Sequence, residues 1–196
     1  MDTKDCIALK SRRRILSLGA LGVAGITTGF PSLTQAVTPR QLDVPYEPSP
    51  QHVVEKMLEL AQTGKNDLLY DLGCGDGRIV ITAAQKYGAR ACGIDLDPKR
   101  IVEAKANAAK AGVEDRVIFK VGDLYTSDFS DATVVTLFLW PQVNRKLRPI
   151  LWQQLPVGTR IVSYIWDMGE VWPPEKTISV NGKKIYYWTI TGRQKG

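Results

Sequence analysis

The order of apolar and polar residues predicts short buried strands that alternate with helices along most of the chain. Strand-length apolar runs occur at residues 68–70, 91–94, 117–119 and 160–164, and the longer run 132–139 is typical of a strand buried on both faces. Because helical stretches separate these runs, the strands are expected to be parallel and to form one sheet with helices on both faces.

Helical spacing of apolar residues, together with capping residues, places the connecting helices. Ser49 is expected to cap the first helix, with Pro50 at its first position and an end near Gly64. Three further helices are predicted: over about 78–87, from Pro98 after the capping Asp97 to Gly112, and from Pro141 through Leu151.

The C-terminal pattern differs, because two strand-like stretches follow each other without a helix. Residues 177–180 and 183–191 flank Asn181-Gly182, a pair that favours the type I′ turn of a tight hairpin. The predicted fold is therefore α/β, with a mostly parallel seven-stranded sheet, helices on both faces and a C-terminal antiparallel hairpin.

The N-terminal segment has the pattern of an export signal. Residues 1–14 end in a basic cluster, residues 15–30 are apolar and uncharged, and Thr34-Gln35-Ala36 offers small residues for cleavage. Residues 11–16 also resemble the twin-arginine export motif. The protein is therefore expected to be exported, to the periplasm or its equivalent, or to be tethered to a membrane by an uncut segment. The alternative is a cytoplasmic protein with a chance resemblance.

The predicted organisation is a signal or anchor at residues 1–36, a Pro-rich connector at 37–50 and one domain at 51–196. Residues 1–36 hold five basic and two acidic residues, so the net charge of +6 falls to +3 for residues 37–196, and no nucleic-acid partner is expected. His52 is the only histidine and the three cysteines form no C-x-x-C pair, so no metal site is expected.

Candidate chemistry begins at the glycine loop after the first predicted strand. Gly73, Gly75 and Gly77 let a ligand approach the backbone beside a helix N-terminus, which suits a nucleotide-like molecule. A dinucleotide site would need Gly-x-Gly-x-x-Gly, but Arg78 occupies the last position. Asp71 would repel a pyrophosphate and can bind an ammonium group, which S-adenosylmethionine carries.

Two further carboxylates follow the next two strands. Asp95 is expected to accept hydrogen bonds from ribose hydroxyls and Asp123 from the adenine amino group, since the carboxyl edge of such a sheet binds ligands. The sequence therefore predicts S-adenosylmethionine as the cofactor, with these candidate binding residues: Asp71, Gly73, Cys74, Gly75, Gly77, Asp95, Leu96, Asp123 and Leu124.

Three motifs, at residues 70–81, 93–98 and 122–124, closely resemble those of class I S-adenosylmethionine-dependent methyltransferases. More narrowly, residues 44–50, 70–81, 122–125 and 134–151 resemble small bacterial relatives of the mitochondrial protein-lysine methyltransferases that act on inner-membrane proteins, the ATP synthase c-subunit type among them. The resemblance implies a Rossmann-like fold and a protein-lysine acceptor, and it covers about residues 44–191.

The acceptor site is less defined by the sequence. Residues 137–141 lack the Asp/Asn-Pro-Pro-aromatic motif of enzymes that methylate nucleobase amines, which disfavours that activity. Trp140 and Tyr46 are candidates for the walls of an acceptor pocket, as is Tyr125, although each is equally compatible with simple packing. His52 is interpreted as an exposed or capping residue rather than a general base.

These observations favour a methyltransferase that transfers a methyl group by in-line displacement, with a protein lysine as acceptor. The alternatives are a small-molecule methyltransferase, a non-catalytic module that only binds S-adenosylmethionine, and a nicotinamide-dependent oxidoreductase, for which the glycine spacing is wrong. A monomer is expected. Its expected partner is an acceptor protein, either soluble or membrane-associated. The N-terminus is expected to associate with a membrane if the signal is retained.

Overall fold

Four helices and seven strands make up residues 47–192, the part of the chain that the computed structural model describes. The helices are α1 (Gln51–Leu60), α2 (Arg78–Tyr87), α3 (Pro98–Ala111) and α4 (Pro141–Gln154). The strands are β1 (Leu68–Leu72), β2 (Arg90–Asp95), β3 (Val117–Val121), β4 (Val134–Leu137), β5 (Arg160–Tyr164), β6 (Lys176–Val180) and β7 (Lys183–Thr189).

The strands form one sheet in the order β3-β2-β1-β4-β5-β7-β6. Strands β1 to β5 run parallel, whereas β7 pairs antiparallel with both β5 and β6. The predicted fold class is thus confirmed. The chain reverses its direction of strand addition at β1, and an open sheet binds ligands at such a switch point.

Each face of the sheet has its own apolar core, because successive side chains of a buried strand point to opposite faces. In β1, Leu69 packs with the apolar sides of α1, α2 and α3, whereas Leu68, Tyr70 and Leu72 pack with α4 on the other face. The hairpin turn has positive φ at Asn181 (49°) and Gly182 (74°), as a type I′ turn requires.

Several boundaries differ from the prediction. Ser49 does not cap α1: the helix begins at Gln51 after Pro50, without a side-chain cap, and Ser49 is buried. Strand β4 covers only four residues of the apolar run 132–139, since buried loop residues are as apolar as buried strand residues. Strand β1 continues two residues beyond the predicted 68–70, which places Asp71 inside the sheet.

The predicted export segment at residues 1–36 and all of the connector before Glu47 lie outside the described residues. Among the helices of residues 47–192, none combines the length and the apolar character that crossing a membrane requires.

Candidate active site

A cleft of about 1000 Å³, counting space open to solvent, lies at the carboxyl edge of the parallel strands. The loops after β1, β2, β3 and β4 line it, together with residues 47–49 before α1. Most residues predicted to bind the cofactor belong to this lining: Asp71, Gly73, Cys74, Asp95, Leu96, Asp123 and Leu124. Gly75 and Gly77 lie outside it.

Asp71 is a buried carboxylate on the central strand, with 3% of its surface exposed. Its register partner on β4 is Thr136, whose hydroxyl donates a 2.8 Å hydrogen bond to Oδ1 of Asp71. Burial raises the pKa of Asp71 to about 7; the hydrogen bond opposes this rise, and the charges of Asp95 and Asp76 add to it. A cationic ligand group in the cleft would favour the ionised form, so the site suits an ammonium.

The glycines of the loop divide between two roles. Gly73 lines the cleft in a left-handed conformation with φ of 85°. Gly77 has φ of 81°, and a Cβ atom there would lie 2.8 Å from the Phe119 ring and 2.9 Å from Cβ of Ala104. Gly77 therefore lets α2 pack against α3 and β3, the task of the third glycine in a dinucleotide fold, performed here one position earlier.

Asp95 connects the glycine loop to the end of β2. Its Oδ2 accepts a 2.8 Å hydrogen bond from the backbone N–H of Gly75, and its Oδ1 accepts one of 2.9 Å from Asp97. A carboxylate has about four lone-pair sites, so both oxygens retain capacity for hydroxyl groups of a ligand. The two backbone donors fix the orientation of the carboxylate at the cleft wall.

The loop after β3 presents a carboxylate and an apolar side chain side by side. Oδ1 of Asp123 accepts a 3.0 Å hydrogen bond from the backbone N–H of Tyr125, and its carbonyl oxygen accepts from the N–H groups of Thr126 and Ser127. This compact turn holds Asp123 and Leu124 in the cleft lining.

Cys74 contributes an apolar wall rather than a reactive thiol. It is buried, and burial together with the nearby charges of Asp71 and Asp95 raises the pKa of its thiol far above the usual range. Its Sγ would lie 2.7 Å from a Cβ atom at position 93. Gly93, the first residue of the 93–98 motif, therefore provides the space for Cys74.

An arginine holds the segment before α1 against the cleft. Nη1 of Arg78 donates a 2.7 Å hydrogen bond to the carbonyl oxygen of Ser49, and its Nε and Nη2 donate to the carboxylate of Asp76. Glu47 and Pro48 consequently line the cleft. The sequence pattern assigns these residues to a connector, and the only signal of a site role is that they lie in one of the segments that carry the family resemblance.

The side of the cleft formed by residues after β4 is apolar. Phe138, Leu139 and Val143 line it, and the Phe138 ring packs at 4.9 Å from the ring of Tyr164 at the end of β5. Trp140 is not in the lining: it precedes α4 as its N-cap and is 45% exposed. Tyr46, the other predicted wall residue, lies outside the described residues.

His52 and two tryptophans lie away from the cleft lining. Nε2 of His52 is 2.9 Å from Nδ2 of Asn181 at the hairpin turn, on the surface. Trp172 and Trp188 are buried and pack with ring centroids 5.8 Å apart, so they belong to the core. Residues 47–192 contain no cluster of three or more His, Cys, Asp or Glu side chains suited to a metal ion.

Comparison with known proteins shows the family to which the chain belongs. The sequence profile of the ANTKMT methyltransferase domain matches residues 71–176. A protein-lysine N-methyltransferase of Saccharolobus islandicus is 43% identical over 156 residues, which cover 78% of this chain and 96% of that protein. The chain belongs to this methyltransferase family. Its class I methyltransferase motifs, predicted from the sequence, are thereby confirmed.

Two further relatives extend the comparison. The ATP synthase c-subunit lysine N-methyltransferase of Mus musculus is 31% identical to this methyltransferase over 91% of the chain and 72% of its own length. The crystal structure of an RNA methyltransferase from Salinibacter ruber with S-adenosylhomocysteine superposes with a TM-score of 0.73, at 53% identity, over 74% of this chain and 95% of that one. The protein is an S-adenosylmethionine-dependent methyltransferase.

Proposed function

We propose that this methyltransferase methylates the ε-amino group of lysine in a protein acceptor. The observation that carries the proposal is the charge of the cleft, which six carboxylates and only two arginines line. One of the arginines, Arg78, is paired with Asp76. An acidic lining attracts a protonated lysine and repels phosphate. The names of the Saccharolobus islandicus and Mus musculus relatives, both lysine methyltransferases, support the same acceptor.

We further propose how the cleft holds the cofactor. S-adenosylmethionine supplies a methyl group already activated on a sulfonium, so the protein contributes binding and alignment. Asp71 is assigned to the ammonium group at the amino-acid end, beside the backbone of Gly73. Asp95 is assigned to the ribose hydroxyls and Asp123 to the adenine amino group. This order follows the sheet order β1-β2-β3, which places the three carboxylates side by side along one edge.

The acceptor nitrogen must be neutral before it can attack a methyl group. Phe138 and Leu139 form an apolar wall, with Leu139 beside Gly73, and desolvation there would lower the pKa of a lysine amine. Trp140 is proposed to contact the acceptor outside the cleft, where its exposed ring is available to a protein surface. Tyr46, which lies outside the described residues, is proposed as a further acceptor-pocket residue from its sequence motif alone.

An RNA acceptor is the second candidate, because the Salinibacter ruber structure at 53% identity is described as an RNA methyltransferase. The residues of this chain argue against it. The segment after β4 offers Phe138, Leu139 and Trp140, and none of these side chains has an acceptor for the exocyclic amine of a base. An RNA backbone would also approach an excess of carboxylates at the cleft, contrary to the basic lining that phosphates require.

The acceptor can be identified with S-adenosylmethionine carrying a labelled methyl group. The purified protein is incubated separately with protein and with RNA from cells that lack its gene, and the products are hydrolysed and analysed by mass spectrometry. We expect methylated lysine in the protein fraction, and loss of this product in the Asp95→Asn variant. Label that enters RNA, with no methylated lysine, would exclude the lysine proposal.

For location, we propose that residues 1–36 export the protein or tether it to a membrane. The support is their sequence pattern: a basic cluster, an uncharged apolar stretch and small residues at 34–36. Cell fractionation combined with sequencing of the mature N-terminus tests this. A soluble cytoplasmic protein that begins at Met1 would refute export.

A further inference from the structure

One carboxylate of the cleft differs from the others in how it is engaged. Within residues 47–192, the side chain of Glu47 accepts no hydrogen bond, and it is exposed at the cleft. The other five carboxylates each accept hydrogen bonds from the protein: Asp71 from Thr136, Asp76 from Arg78, Asp95 from Gly75 and Asp97, Asp97 from Lys99, and Asp123 from Tyr125. Glu47 therefore has its hydrogen-bonding capacity available for a ligand.

The position of Glu47 is determined by the contacts of its segment. Ser49 follows Glu47 by two residues, and its carbonyl oxygen accepts the 2.7 Å hydrogen bond from Arg78. Ser49 itself is 4% exposed, so the segment is anchored in the protein surface. Arg78 in turn is held by three hydrogen bonds to the Asp76 carboxylate, from Nε at 2.9 and 3.2 Å and from Nη2 at 2.6 Å.

The position of Glu47 within the cleft is indicated by its neighbours after β4 and at the end of β5. Phe138, which lines the cleft with Glu47, packs on Tyr164 at the end of β5. Burial raises the pKa of the Tyr164 hydroxyl, and the charge of Glu47 adds to this rise. Asp123 follows β3, on the other side of β1 in the sheet. Glu47 therefore belongs to the β4–β5 end, where the acceptor enters if the cofactor lies along β1, β2 and β3.

We propose that Glu47 is the residue that recognises a cationic acceptor, binding the ammonium group of the incoming lysine beside Phe138 and Leu139. This inference rests on the proposed lysine activity. The ammonium group then loses one proton to solvent water. The nitrogen lone pair forms the bond to the methyl carbon while the carbon–sulfur bond breaks, and the electron pair of that bond stays on sulfur. The products are a methylated ammonium and neutral S-adenosylhomocysteine.

The test uses the full chain and the variants Glu47→Gln and Glu47→Asp. Glu114→Gln is the control, because it removes one exposed carboxylate between α3 and β3, at the opposite edge of the sheet. Calorimetry measures the affinity for S-adenosylhomocysteine. The initial rate of methyl-lysine formation is measured against the concentration of a protein extract from cells that lack the gene, at low and at high salt.

For Glu47→Gln we expect an increase in KM for the extract of about tenfold, the loss typical of one hydrogen bond to a charged group. The value of kcat and the affinity for S-adenosylhomocysteine should change by less than about twofold, a difference near the limit of such measurements. The salt dependence of KM should weaken, because the removed interaction is ionic. Glu47→Asp should give an intermediate KM, and Glu114→Gln should match the unmodified protein.

Three results would overturn the inference. The first is a Glu47→Gln variant with unchanged KM, which would leave the lysine activity itself standing. The second is an equal loss of S-adenosylhomocysteine affinity, which would assign Glu47 to the cofactor. The third is an unmodified protein that forms no methyl-lysine, in which case the proposed function fails and this inference fails with it.

Discussion

Asp71 combines burial with a ligand-binding position. It lies on the central strand, its Oδ1 bonded to Thr136, and burial raises its pKa to about 7. The protein without ligand therefore holds a proton on Asp71 up to about pH 7. In the unfolded chain the same carboxyl has a pKa near 3.9 and is ionised above it. Folding consequently disfavours the charge that binding of an ammonium requires.

This conflict predicts opposite effects of Asp71→Asn on stability and binding. The folded state binds more protons than the unfolded state between about pH 4 and 7, so Asp71 lowers stability as pH rises through this window. The asparagine removes that cost and can still accept the Thr136 hydrogen bond. We expect a higher melting temperature than the unmodified protein at pH 8, and no gain at pH 4, in thermal unfolding without ligand.

The same variant should bind S-adenosylhomocysteine about ten to a hundred times more weakly at pH 8, the loss expected for a hydrogen bond to a charged group. In the unmodified protein, affinity should rise with pH up to about 7 and then level, because binding needs the ionised carboxylate. An affinity that does not vary between pH 5 and 8 would show that Asp71 does not contact the ammonium.

Asp95→Ala tests the ribose assignment. Removing this carboxylate deletes the ligand contact and releases the N–H groups of Gly75 and Asp97. The expected loss is about 1.5–3 kcal/mol of binding free energy, measured by calorimetry with S-adenosylhomocysteine. Asp115→Ala, at an exposed site before β3, is the matched control. Equal affinity in the two variants would remove Asp95 from the site.

At the scale of elements, the glycine loop fixes how α2 leaves the sheet. Gly77 precedes α2 in a left-handed conformation, and the Phe119 ring of β3 and Ala104 of α3 fill the space where a Cβ atom would be. Gly112, at the end of α3, is also left-handed (φ 67°), but no heavy atom lies within 4 Å of its Cβ position. Substitutions at these two glycines therefore distinguish the cost of backbone strain from the cost of crowding by neighbouring side chains.

Gly112→Ala should cost about 1–2 kcal/mol of unfolding free energy, the penalty for a left-handed alanine. Gly77→Ala should cost about 1–3 kcal/mol more, because Phe119 or α3 must also shift. Urea denaturation of both variants measures the difference. Equal losses would mean that α2 and α3 separate at no cost, contrary to the packing described.

At the scale of the whole molecule, Arg160 joins parts of the chain that are distant in sequence. Nη1 donates to the carbonyl oxygens of Ala61 and Gln62 after α1, at 2.7 and 3.0 Å, and Nη2 forms an ion pair with Asp67 before β1. Asp67 also accepts a 2.8 Å hydrogen bond from Thr133. One residue of β5 therefore anchors the end of α1 at the amino edge of the sheet.

Arg160→Ala should lower the free energy of unfolding by about 2 kcal/mol, since it removes the cationic partner of a largely buried carboxylate and a side-chain donor to two carbonyl oxygens. Lys56→Ala, which breaks an exposed ion pair with Glu59, should have a much smaller effect because water screens that pair. Chemical denaturation compares them. Similar losses in both variants would contradict an anchoring role for Arg160.

Local patterns in the sequence determined the order of elements and the class of cofactor. Apolar runs and capping residues placed α2, α3 and β5 within a residue or two of their bounds. The spacing of Gly73, Gly75 and Gly77 distinguished the loop from a dinucleotide site. These properties are predictable because each depends on residues within about one turn or one strand of each other.

Only the tertiary structure decided which residues line the cleft and how its carboxylates are buried. The burial of Asp71 depends on Thr136, 65 positions away, and the place of Glu47 depends on the bond from Arg78 to Ser49, 29 positions away. The packing role of Gly77 depends on Phe119. No local pattern carries such contacts, because they arise only when the sheet brings distant segments together.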